Sequence, residues 1–162
     1  MLTITTNLEA IRMSKIIIGV DPDSKAHGIA IYHDGILIEL ACMTLMDVNR
    51  LLQDSIPKHK NSVWEAHIEN VCANNAVFMK PGRMDKRREA EAKARGRTLG
   101  MCQQAQTELE RVFDFWGVKI VHHKISKTWK KDKAQFEKVT GWGGRSNEDT
   151  RSGAYFGWLG CK

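Results

Sequence analysis

The 162-residue chain has room for one domain with a sizeable core, and its 42% hydrophobic and 27% charged content is that of an ordinary globular protein. No apolar run approaches the ~20 residues of a membrane-spanning helix, so no membrane association is expected. The net charge of +6 favours a polyanionic partner. Residues 1–14 lack the basic start and long apolar core of a secretory signal. They read as an N-terminal extension, with residues 15–162 forming a single domain. Four scattered cysteines (Cys42, Cys72, Cys102, Cys161) show no CxxC spacing, so neither a zinc ribbon nor a thioredoxin-type site is indicated. They are expected as buried reduced thiols, which points to the cytoplasm.

Residues 15–21 are β-branched and unbroken up to the turn signal Asp21-Pro22, which predicts a buried central strand. Residues 27–33 and 35–41 alternate around His33-Asp34-Gly35, a tight hairpin signal. Helical spacing (Leu45, Val48, Leu51, Leu52, Ile56) predicts a helix that Pro57 stops. Residues 62–70 form the next strand. Having arrived through a crossover helix, it is expected parallel and adjacent to the first. Residues 71–82 read as an irregular connection.

A long helix is predicted over 84–116, with Gly96 and Gly100 expected as interruptions and Gly117 as its cap. A fifth strand (118–122), a Lys-rich helix or turn (126–138), a glycine loop (141–147) and a last helix (148–160) follow. The order βββαβαβα is that of an α/β protein with the ribonuclease H-like fold. Its mixed five-stranded sheet joins an antiparallel meander to parallel strands, with helices on both sides.

Three carboxylates stand at element ends: Asp21 after the first strand, Glu69 after the fourth, and Asp149 at the start of the last helix. An ionised carboxylate at the mouth of a buried strand is unfavourable unless something positive compensates. In this topology the three converge, although 48 residues (21 to 69) and 80 residues (69 to 149) separate them. Such a group suits a divalent cation. Basic side chains cluster in two places. Residues 80–97 carry Arg83, Arg87, Arg88, Arg95 and Arg97, and Lys124–Lys133 includes Lys127, Lys130 and Lys131 beside Trp129. These residues, with Arg145 in the glycine loop, are the expected DNA contacts: guanidinium forks fit phosphates, and tryptophan can lie on sugar or an unpaired base.

The segments IIIGVDPDSKAHGIAI, HIENV and RGRTLGMCQQAQTELERVFDFWGVKIVHHKISKTWKK together resemble the RuvC-type Holliday-junction resolvases, in particular their short phage-borne members. The resemblance spans about residues 15–160. It implies a structure-selective endonuclease that resolves four-way DNA junctions, working as a homodimer with two Mg²⁺ ions, for which Mn²⁺ can substitute. Asp21, Glu69 and Asp149 are then the metal ligands and catalytic residues. The chain departs from the family at Asp23, where glycine is common, and at Ser152, where a second aspartate is expected. The fourth ligand is left open among Glu148, Asp23, water and none. A ribonuclease H-like nuclease acting on RNA-containing or flap substrates, and a branched-DNA-binding protein without catalysis, are the alternatives.

Overall fold

β1 (Lys15–Asp21) is apolar on both faces because both are covered: Ile16, Ile18 and Val20 enter one core and Ile17 the other. In a computed structural model, which describes residues 13–74, 82, 83 and 85–162, β1 is the central strand of a five-stranded sheet of order β3-β2-β1-β4-β5. β2 (His27–His33) and β3 (Ile36–Met43) complete the antiparallel meander. Their hairpin turns through Asp34 and Gly35 at φ 48° and 84°, as a two-residue loop between twisted strands requires. β4 (Val63–Glu69) lies parallel to β1, and β5 (Lys119–His123) parallel to β4. This is the mixed α/β sheet expected from the sequence, with the ribonuclease H-like order of strands.

α1 (Leu45–Ser55) starts with a capping box. Thr44 Oγ1 accepts the Asp47 N–H at 3.3 Å and the Asp47 carboxylate accepts the Thr44 N–H at 3.0 Å. A 3₁₀ turn, Ile56–His59, ends it at Pro57. α2 (Lys86–Phe115) is capped by Asp85, whose carboxylate accepts the Arg88 N–H at 2.8 Å. Contrary to expectation, Gly96 and Gly100 do not interrupt α2. An isolated glycine costs only about 1 kcal/mol in a helix, and ion pairs such as Arg87–Glu91 (3.0 Å) and Glu89–Lys93 (3.1 Å) support the N-terminal half. Gly117, at φ 69°, ends the helix as expected.

α1 and α2 cover one face of the sheet. Val48, Leu52, Leu109 and Phe113 meet Ile18, Val20, Ile29 and Ile68 there. Truncating Leu109 to alanine is expected to cost about 2–5 kcal/mol. The buried residues of α2 are Gln106, Leu109 and Phe113, all in its second half, so the basic first half projects past the sheet.

α4 (Glu148–Gly160) covers the other face, with α3 (Lys133–Thr140) outside it. α3 fills only the later part of the element expected over 126–138; residues before it form turns. α4 approaches the sheet closely because the seam is glycine. A methyl group on Gly19 would overlap the backbone of Gly153 and Gly157, and one on Gly28 would overlap the Asp149 carbonyl. Tyr32 Oη donates to Ala154 O at 2.8 Å across this seam.

Of the N-terminal extension only residues 13 and 14 are described, the rest lying outside the described residues, as does most of 71–82. The Ser14 carbonyl accepts the Val63 N–H at 2.9 Å, which ties residue 14 to β4. The cysteines are unpaired, but the expectation of burial is corrected. Cys42 and Cys72 are exposed and Cys102 and Cys161 half-buried, because each lies at an element end or on a helix flank. Among the described residues no helix is long and apolar enough to cross a membrane.

Candidate active site at the carboxyl ends of β1 and β4

Parallel pairing of β1 with β4, in which Val20 faces Ile68, leaves the next residues, Asp21 and Glu69, side by side at the sheet edge. Asp149 is the second residue of α4. Asn147 fixes this helix start by accepting the Thr150 N–H at 2.8 Å, and the Gly28 contact sets its depth. Asp21, Glu69 and Asp149 line one cavity of about 670 Å³. Pro22 and Asp23 extend its floor. Ala94, Arg95, Thr98, Leu99 and Cys102 of α2 form a wall, with Lys127 and Lys130 opposite.

Burial makes the charges in this cavity interdependent. Asp21 is 4% and Glu69 6% exposed. Loss of solvent pushes the Glu69 carboxyl up to about 7, aided by the charge of Asp21 and a hydrogen bond with it. The Ser126 N–H, donating to Glu69 Oε1 at 3.1 Å, and the Lys130 charge offset this only in part. Lys130 supplies the positive charge the carboxylates need. Its Nζ donates to Asp21 Oδ2 at 2.8 Å and lies 3.5 Å from Asp149 Oδ1. Burial opposes the lysine charge, but Asp21, Asp149 and Glu69 outweigh it and raise its pKa.

The donor set is all oxygen, and three carboxylates share one ammonium, so the chemistry fits a hard divalent cation. As the side chains stand, no three His, Cys, Asp or Glu among the described residues close around an ion. The Lys130 ammonium sits against Asp21 and Asp149 instead. Ser152 is one helical turn beyond Asp149, fully buried, and its Oγ has no hydrogen-bond partner among the described residues.

Of the other sequence-predicted residues, Arg95, Lys127 and Lys130 line the cavity. Glu148, Lys127, Lys130 and Lys131 border an adjoining hollow of about 260 Å³ that also reaches Glu69. Arg87, Arg88 and Arg97 lie on α2 with Arg83 just before it; the Arg83 carbonyl accepts Arg88 Nη1 at 3.1 Å. Arg145 is exposed in the glycine loop. None of these five lines the cavity.

Trp129 is a correction. It is 2% exposed and its ring packs among Phe136, Tyr155 and Trp158, with centroids 5.7, 5.5 and 5.2 Å away, so it offers no face to a base or sugar. Its backbone is left-handed, at φ 61°, in a turn closed by the Lys130 N–H on Lys127 O at 3.1 Å. Glycine or asparagine is usual at such a position, and another residue there costs roughly 1–2 kcal/mol. Sequence reasoning missed Ser126, whose N–H holds Glu69, Cys102 in the cavity wall, and Arg151, whose guanidinium donates to the carbonyls of Trp129 and Lys130. For Arg151 a signal existed: a lone cation in a Gly/Ala-rich helix whose inner face must be buried.

The strand order β3-β2-β1-β4-β5, with helices on both faces of the sheet, is that of a ribonuclease H-like fold. Among solved structures, "T. thermophilus RuvC in complex with Holliday junction substrate" aligns with TM-score 0.54 at 8% identity, over 89% of this chain and 90% of that one. "Thermus thermophilus RuvC structure" aligns with TM-score 0.51 at 7% identity, over 88% and 91%. At such identities the likeness is one of fold. No protein-family model matches the sequence, and no curated protein does.

Proposed function

We propose that residues 15–162 act as a single Mg²⁺-dependent endonuclease domain that cuts branched DNA, four-way junctions above all. One observation carries this reading: Asp21, Glu69 and Asp149, remote in sequence, share one cavity beneath the basic half of α2. The RuvC-like fold and the junction named for one aligned structure add support. Asp21, Glu69 and Asp149 would hold two magnesium ions, with Glu148 or Asp23 near enough in sequence to assist. Bound magnesium supplies Lewis-acid charge that helps water attack phosphorus and stabilises the departing alkoxide.

The chain's own side chains bind and orient the substrate. Lys127 and Lys131 at the rim, Arg95 in the wall, Arg83, Arg87, Arg88 and Arg97 along α2 and Arg145 in its loop would grip phosphates, so binding should weaken steeply with salt. Glu69, its carboxyl pushed up to about 7, would lose its proton on taking up a cation. Two symmetric incisions call for a two-fold homodimer, and the work is assigned to the cytoplasm.

A second reading, a junction-binding protein without catalysis, is favoured by Ser152 in place of a carboxylate and by the lysine seated among the acids. Labelled junction, duplex, flap and DNA–RNA hybrid substrates, each with Mg²⁺ or EDTA, separate the readings. Junction nicking that EDTA abolishes is the expected result. Tight junction binding with no product in Mg²⁺ or Mn²⁺ would move the assignment to the second reading, and preferential hybrid cleavage would overturn the junction assignment.

A further inference from the structure

Arg151 projects from α4 two residues after Asp149 and is 8% exposed. Among the described residues no carboxylate pairs with it. Its guanidinium donates from Nε to Trp129 O at 3.0 Å, from Nη2 to Lys130 O at 2.7 Å and from Nη1 to Ser146 Oγ at 3.3 Å. A buried charge without a counter-ion is a poor choice for packing alone, since a neutral side chain would fill the space without losing solvation.

What the guanidinium adds is a rigid fork that fixes two successive carbonyls. One belongs to Trp129, the residue held at φ 61°; the other belongs to Lys130, whose ammonium enters the carboxylate cluster. The ring of Trp129 is anchored by its aromatic neighbours, so these two grips leave the Lys130 stem one direction to leave the turn.

We propose that Arg151 is a positioning residue that fixes the main chain of Trp129 and Lys130 and thereby seats Lys130 Nζ between Asp21 and Asp149. The seating stands by itself, whereas its consequence for rate rests on the nuclease reading. Arg151 acts through Lys130 and touches no substrate.

The test has two arms on the full-length chain. In the first, metal-free protein is treated with limiting acetylating reagent, and modification of Lys130 and of exposed Lys131 is followed by mass spectrometry. Lys130 Nζ is partly buried and held by Asp21 at 2.8 Å, whereas Lys131 is exposed, so Lys130 should react about tenfold or more slowly than Lys131. Arg151→Met should bring the two within about threefold, with Arg151→Lys between. Equal reactivity in the wild type, or unchanged protection in a folded Arg151→Met, would overturn the proposal. Where the methionine variant does not fold, unchanged protection in Arg151→Lys does the same.

In the second arm, Arg151→Met should slow single-turnover junction cleavage about tenfold, yet change it less than about twofold in a Lys130→Met background. Equal losses in both backgrounds would show a general structural role and end the assignment. A wild-type protein that binds but does not cut removes the nuclease reading, and the acetylation arm then decides the positioning role by itself.

Discussion

β4 carries two glutamates on the face that α4 covers, and its two ends treat them in opposite ways. Glu65 lies near the start of the strand, where Lys15 and Lys119 reach it at 2.9 and 3.0 Å and His67 Nε2 approaches to 3.2 Å. Burial pushes the Glu65 carboxyl up, but these hydrogen bonds outweigh it and leave it at about 2. Glu69 ends the strand beside Asp21 with one shared lysine, and is pushed up to about 7. The strand, face and residue type are the same, so the difference comes from the greater loss of solvent at Glu69 and from the neighbours each glutamate meets. At the first end charge is neutralised within the fold: His67 continues the network to His123 through a 2.8 Å hydrogen bond, and His123 stacks on Phe156. At the second end the fold leaves negative charge in excess. One carboxylate is satisfied by the chain, and the other keeps a burial penalty that its neighbours offset only in part.

The comparison breaks most severely at Asp21. Asp21→Asn should lower junction cleavage by orders of magnitude while junction binding persists or tightens, as read by rapid-quench assay and titration in EDTA. Retained activity would remove Asp21 from the site.

Gly28→Ala is the next largest change. Its methyl group meets the Asp149 carbonyl, so α4 must shift at the acidic end first. Stability should fall by about 1–3 kcal/mol and cleavage should fall with it. A variant with unchanged melting and unchanged rate would show that the close approach is not needed.

Glu69→Gln sharpens the contrast. A carboxyl whose folded pKa is raised stabilises fully below about 4.5, and that contribution is lost as pH rises through about 7. Metal-free Glu69→Gln should therefore be more stable than wild type above pH 7, by about 1–3 kcal/mol, match it below pH 4.5, and be inactive. Urea titrations at several pH values check this, and a variant less stable at pH 8 would contradict it.

Glu65→Gln should act with the opposite sign. A lowered carboxyl pKa stabilises above about 4.5 and is lost as pH falls through about 2. The substitution should reduce stability at neutral pH by about 1 kcal/mol, since Lys15 and Lys119 can turn to water. Cleavage should be almost unaffected. A large rate loss without unfolding would mean that the two ends are coupled through β4.

The strands, the hairpin at Asp34-Gly35, the helix ends at Pro57 and Gly117 and the last helix were legible in the sequence because each rests on local pattern: alternation, a turn dipeptide, a proline or glycine stop. Asp21, Glu69 and Asp149 were legible as candidates because two end strands and the third opens a helix, and the inferred topology said which of these would meet. Gly96 and Gly100 misled, since their intrinsic preference is weak beside the packing and side-chain pairs of a 30-residue helix. Trp129 misled because neighbouring lysines suggest a surface, whereas the partners that bury its ring come from α3 and α4.

By itself, then, the sequence determined the elements, their order and the carboxylates at their ends, all of which short-range sterics and periodicity can write. Only the tertiary structure decided which charges are satisfied. Lys130 entering the cluster, Arg151 gripping the turn behind it and Glu65 drawing two lysines are long-range contacts, and no local pattern encodes the partner that arrives from another element.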